Sequence, residues 1–169
     1  MTSLLDDPAQ FTGLLQRFFA DRLMQQKNVS PRTISAYRDA FRLLLSYVKR
    51  TTGKSPASMT LEDFSSTLVL QFLSRLETER HNSIRSRSAR LAAIRAFAHY
   101  VALQCPPAID LAQRILSIPM KRFEKPLLGF LTRDEVQAML ATIDVNSWCG
   151  RRDHLLLTLL YNTGARVSE

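Results

Sequence analysis

The chain has 169 residues, 46% hydrophobic and 22% charged, a balance that excludes a disordered tail and fits one ordinary domain with part of a second. Its 23 basic residues against 15 acidic ones leave a net charge of +8, which favours a polyanionic partner, nucleic acid or an acidic membrane face. No apolar run approaches the ~20 residues of a membrane span, and Met1 to Gln10 lacks the basic and apolar regions of a signal peptide. Cys105 and Cys149 form neither a ligand cluster nor a disulfide framework, so a reducing cytoplasm is expected.

In chain order the pattern is helical, and five glycines with few alternating β-branched runs argue against an all-β fold. Pro8 opens a first predicted helix reaching about Gln26, with Phe11, Leu14, Leu15, Phe18 and Leu23 inside. Ser30 as N-cap and Pro31 at the first position start a second, which runs to Thr51 or Thr52 and stops at Gly53. Its inner stripe is Ile34, Tyr37, Phe41, Leu44 and Val48. Thr60 with Asp63 reads as a capping box opening a third helix through Leu68, Phe72, Leu73 and Leu76. A fourth spans Ser83 to about Leu103, lined by Leu91, Ile94, Ala98 and Val101 and ended by Pro106-Pro107. A short fifth fits Asp110 to Ser117, giving an all-α bundle of four to five helices over residues 1–118.

Residues 119–131 then read as an extended linker, rich in Pro and carrying Lys121, Arg122 and Lys125. Thr132 and Glu135 form a capping box, with Val136, Met139, Leu140 and Ile143 following at helical spacing. Asp144 to Gly150 reads as a loop, with Trp148 in it as a packing anchor. A last, very apolar helix is predicted over Arg151 to Asn162, a stretch that belongs inside a larger domain than residues 132–169 supply. Tyr161 on it reads as a core residue. The chain is therefore expected to be cut short.

The positive charge is concentrated. Residues 30–54 carry net +5 and residues 81–126 carry +6, while the segments around them are neutral or slightly acidic. On the second helix Arg38, Arg42 and Lys49 share a stripe with Ser35 and Ser46, opposite the core. On the fourth, Arg85, Ser88, Arg95 and His99 cluster within about 80° of one another at about 100° per residue. A solvated face is the ordinary reading of helical charge. Against it, Asp39 is the only acid of the second helix and residues 81–109 contain none. Arginine forks suit phosphates and guanine edges, and small hydroxyl residues allow close approach to a groove. Duplex DNA is the expected partner, with some of these arginines held for structural roles. No metal cluster, phosphate-binding glycine loop or nucleotide fingerprint is present, so no cofactor is expected.

Near the end, Gly164 suits the left-handed residue that closes a helix, which places Arg166 in the first turn of the next. A guanidinium there, beside free backbone N–H groups, fits two non-bridging phosphate oxygens, and Glu169 is placed to support it. An interdomain salt bridge is the plain alternative.

The run Leu155 to Glu169, with Thr163-Gly164-Ala165-Arg166-Val167-Ser168-Glu169, resembles the first catalytic box of the tyrosine recombinase, or phage integrase, family. Upstream, Ser30-Pro31-Arg32-Thr33 with Tyr37-Arg38 resembles the opening of that family's SAM-like core-binding domain. Arg90-Leu91-Ala92-Ala93-Ile94-Arg95-Ala96-Phe97 resembles its fourth helix, and Leu131-Thr132-Arg133-Asp134-Glu135-Val136 the start of its mixed α/β catalytic domain. The resemblance implies site-specific DNA recombination or integration through a 3′-phosphotyrosyl intermediate, with neither ATP nor metal, by four protomers on two duplexes. It implies a catalytic role for Arg166 and DNA contacts from Arg32, Thr33, Arg38, Arg42, Lys49, Arg85, Arg87, Ser88, Arg95, His99, Lys121, Arg122 and Lys125. The family's His-x-x-Arg pair and nucleophilic Tyr have no counterpart in these residues, so the chain alone is expected to be inactive. A non-catalytic helical DNA-binding or architectural module is the competing reading. A basic helical domain with a protein partner is the third.

Overall fold

In the computed structural model, which describes residues 4–123 and 129–166, the described residues form seven α-helices and no strand. They fall into two compact units, residues 1–124 and 125–169. No helix among the described residues is long and apolar enough to cross a membrane.

In the first unit, α1 (Pro8–Arg17) starts where the Asp7 carboxylate accepts the Ala9 N–H at 2.9 Å. The chain stays helical past Arg17 but changes pitch. Phe18–Gln26 is π-helical, and its closing bond runs from Lys27 N–H to the Arg22 carbonyl five residues back. This widening is absent from the expectation of one regular helix, because periodicity alone does not distinguish the two. Its effect is visible in the core, where Phe18 and Leu23, five apart, are both buried.

Ser30 caps α2 (Pro31–Thr52), and Gly53 ends it at φ 71° with its N–H on the Lys49 carbonyl. The Thr60–Asp63 box forms, but it closes an isolated turn instead of opening a helix. The Asp63 carboxylate accepts from Thr60 N–H at 3.0 Å and from Lys54 Nζ at 2.7 Å. That turn drives Met59, Leu61 and Phe64 fully into the core. The third helix, α3 (Ser66–Thr78), begins only after Ser65, whose hydroxyl accepts the Leu68 N–H. Next come α4 (Ile84–Gln104), capped by Ser83, and α5 (Ile109–Leu116). Ile118, the last residue of the expected bundle, is buried and closes the core.

Helix α4 runs through the middle, packed by α1, α2, α3 and α5. Its Phe97 ring lies 5.3 to 5.9 Å from those of Phe41, Phe18, Phe64 and Phe11. Each such edge or tilted contact adds about 0.5–1.5 kcal/mol beyond area burial, so one side chain ties four segments together.

The second unit holds α6 (Arg133–Ala141) and α7 (Trp148–Thr163). Thr132 and Glu135 form the full reciprocal box, with Thr132 N–H on Glu135 Oε2 at 2.7 Å. Helix α7 begins at Trp148, so the expected loop stops at Ser147, whose hydroxyl accepts the Gly150 N–H at 3.0 Å. Gly150 is the residue this start requires, since a Cβ there would overlap the Asp144 carbonyl. Trp148 is exposed under the Arg152 guanidinium instead of anchoring packing. Tyr161, expected in a core, is also exposed, as are Leu155, Leu156, Leu157 and Leu159.

Candidate nucleic-acid interface

The exposed side of α2 carries Arg32, Arg38, Arg42 and Lys49, with Ser35 and Ser46 between them. Arg42 lies 3.3 Å from Asp39, both well exposed, a pairing worth at most about 1 kcal/mol and open to exchange. Thr33 is half-buried and its hydroxyl lies 3.0 Å from that of Ser30, so it belongs first to the cap. On α4, Arg85 and His99 are exposed and Arg95 half-buried. The Ser88 hydroxyl is buried without a hydrogen-bond partner among the described residues. Arg32, Arg38, Lys49, Arg85 and Arg95 form no ion pair among the described residues. An acid-free cationic helix face pays its own repulsion and is at its best opposite a polyanion.

Arg87 is different. It is 5% exposed, with its Nε 3.6 Å from the Glu77 carboxylate of α3. This arginine points into the bundle and is withdrawn from the exposed set, because its position on α4 lies close to that of Ile94, on the buried face. Lys121 and Arg122 are exposed, and Lys121 Nζ donates to both Glu77 oxygens at 2.8 Å. Lys125 and Glu169 lie outside the described residues.

Not all candidates share one patch. His99 lines a cleft of about 110 Å³ with Tyr37 of α2 and with Arg22 and Lys27 of the π-helical segment and its end. Arg38 and Arg42 stand over a different, apolar groove with Leu15, Phe19 and Met24. Arg22 and Lys27 are absent from the sequence-based set. Residues 1–29 balance to zero charge, and regular α-helical spacing sets residues five apart on divergent faces. The i→i+5 bonding of this segment brings them to one cleft. A five-residue spacing of both Phe18–Leu23 and Arg22–Lys27 is the signal that would have found them.

In the second unit, Gly164 adopts φ 66° and its N–H reaches the Leu160 carbonyl at 2.9 Å. Arg166 follows two residues later and is exposed. The helix expected to begin there lies outside the described residues.

Residues 15–104 match the sequence model of the phage integrase N-terminal SAM-like domain. The chain belongs to the tyrosine recombinase family. It is similar to the protein named integrase/recombinase y4rC of Sinorhizobium fredii, at 46% identity over 95% of this chain and 48% of that protein. To y4rD of the same strain it is 44% identical over 92% of this chain and 56% of that protein. To the tyrosine recombinase XerC of Oceanobacillus iheyensis it is 30% identical over 89% and 47% respectively. The chain thus spans about half the length of the curated recombinases it matches. No solved structure matches it.

Proposed function

We propose that the first unit is the DNA-gripping part of a site-specific tyrosine recombinase. The observation carrying this is the acid-free face of α4, where Arg85, Arg95 and His99 stand without acidic partners, joined at His99 to the cleft holding Arg22 and Lys27. Exposed arginines on a rigid helix supply phosphate contacts that fix register, and Ser88 and Ala92 keep the face between them low. Arg32, Arg38, Arg42, Lys49, Lys121, Arg122 and Lys125 extend the positive field along the duplex.

The whole recombinase cuts and rejoins strands in the cytoplasm, on DNA bridged by several protomers, four in the full assembly. Arg166 would clamp the scissile phosphate, neutralising charge as the pentacoordinate transition state forms, with Glu169 in support. A tyrosine supplied by the full-length enzyme would conserve the phosphodiester energy as a covalent link.

Titration of this chain with duplex DNA at two salt concentrations tests the reading. Binding should weaken steeply with salt, each neutralised phosphate contributing about −0.9 to the slope of log K on log salt. Absence of binding at low salt, or a flat slope, would remove DNA as the partner.

A further inference from the structure

Glu77, at the C-terminal end of α3, serves two cations. Lys121 Nζ donates to both of its oxygens at 2.8 Å, while Arg87 Nε approaches Oε2 only to 3.6 Å. The cations are unlike. Arg87 is buried within the bundle, and its Nε and Nη1 have no hydrogen-bond partner among the described residues. Lys121 sits three residues past Ile118, the last buried residue described in the first unit, and its side chain is 49% exposed.

One carboxylate does not satisfy both. A buried guanidinium with unmade hydrogen bonds is the costlier of the two states, since water cannot replace the missing acceptor. An ammonium on a flexible stem at the surface finds water or another anion at little cost. The present arrangement therefore gives the better hydrogen bonds to the cation that needs them less.

We propose that Glu77 is a positioning residue that governs when Lys121 reaches DNA. In the free protein Glu77 clasps Lys121. When a backbone phosphate of duplex DNA takes the ammonium, the carboxylate closes on Arg87 and fills its open N–H groups. The Lys121–Glu77 pair is exchanged for a Lys121–phosphate pair while the existing 3.6 Å Arg87–Glu77 pair shortens, and no covalent bond changes. Contact at the exit segment is thereby coupled to the packing of α3 against α4. This rests on the DNA-binding reading above.

The test is a double-mutant cycle on the 169-residue protein, with duplex DNA as probe, fluorescence anisotropy as readout and circular dichroism to check folding. Glu77→Gln should tighten binding roughly two- to fivefold, the range of one ion pair near the surface, with the salt slope unchanged because Lys121 meets the same phosphate in both proteins. Lys121→Ala in the Glu77→Gln background should abolish that gain. Glu79→Gln, an exposed acid two residues on, should give a smaller change that Lys121→Ala leaves intact. Arg87→Met should act with the opposite sign, leaving Glu77 wholly to Lys121 and weakening DNA binding although Arg87 is buried. It also decides the matter if Glu77→Gln fails to fold. A gain from Glu77→Gln that survives Lys121→Ala, or a folded Arg87→Met that binds unchanged or more tightly, overturns the proposal. Failure of the wild-type chain to bind duplex DNA removes the DNA-binding reading and this proposal with it.

Discussion

The Phe97 ring of α4 meets the Phe41 ring of α2 edge to face, with centroids 5.3 Å apart and planes at 82°. The two helices that carry the positive faces are thus fixed to one another through the core, and their outward arginines inherit that rigidity. Truncating Phe97→Ala should cost about 3–5 kcal/mol, lost packing and cavity together. Chemical denaturation of the helical unit measures it, and a loss below 1 kcal/mol would show that the aromatic cluster does not organise the fold.

DNA affinity should depend unequally on the arginines. Arg95→Ala and Lys27→Ala should each weaken binding by about 1 kcal/mol and reduce the salt slope by about 0.9. Arg42→Ala should cost less, because Arg42 already has Asp39 beside it and overlooks the α1–α2 groove. Arg50→Ala, near Glu79 on the α3 side, should change little. Equal effects at all four positions would indicate a diffuse field with no defined face.

Acid should loosen the turn that seats Phe64. Burial opposes ionisation of Asp63, but hydrogen bonds from Lys54 and Thr60 outweigh it and hold the carboxyl below its ordinary value of 3.8. A carboxyl depressed on folding contributes stability that is complete above its unfolded pKa and is lost as pH falls through the folded one. The difference in melting temperature between wild type and Asp63→Asn should therefore be large at about pH 6 and shrink below about pH 4. A difference constant across that range would show that the charge of Asp63 is not what matters.

Gly150→Ala should damage the second unit alone. Its Cβ would collide with the Asp144 backbone, with no flexible side chain to give way, so about 1–3 kcal/mol is expected. Hydrogen exchange in the full chain reads this directly, as faster exchange in α7 with α4 unchanged. Unaltered α7 protection would mean that the start of the helix is elsewhere.

In a full-length recombinase, Arg166→Ala should slow strand cleavage by about a hundredfold or more, roughly 3 kcal/mol of barrier, while binding through α2 and α4 persists. Near-normal cleavage on a suicide duplex would remove the catalytic assignment. The present chain should yield no covalent DNA adduct on a denaturing gel.

Much of this fold is legible in the sequence. Ser30-Pro31, Gly53, Ser83 and Pro106-Pro107 mark helix ends because caps and breakers act locally, and the helices start or stop there or within two residues. What escaped was set by tertiary context. Thr60 and Asp63 satisfy the same hydrogen bonds in a lone turn as at a helix start, and only Ser65, five residues beyond Thr60, decides where α3 begins. Arg87 reads as one more cation of a basic helix until Glu77, ten residues earlier on another helix, draws it inward. The family motifs located Arg166 in the sequence, and it stands exposed two residues past the left-handed Gly164.

The π-helical stretch from Phe18 to Gln26 bears on how this family's chains vary in length. Substitutions within it change one side chain, but a one-residue deletion between Phe18 and Leu23, or between Arg22 and Lys27, would bring that pair to the four-residue spacing that an ordinary α-helix keeps on one face. A one-residue deletion should therefore be tolerated here better than inside α2 or α4, where it would rotate every following core residue by about 100°. An alignment with a one-residue gap inside residues 18–26 would pair this widened turn with an ordinary α-helical turn of another protein, core residue still opposite core residue.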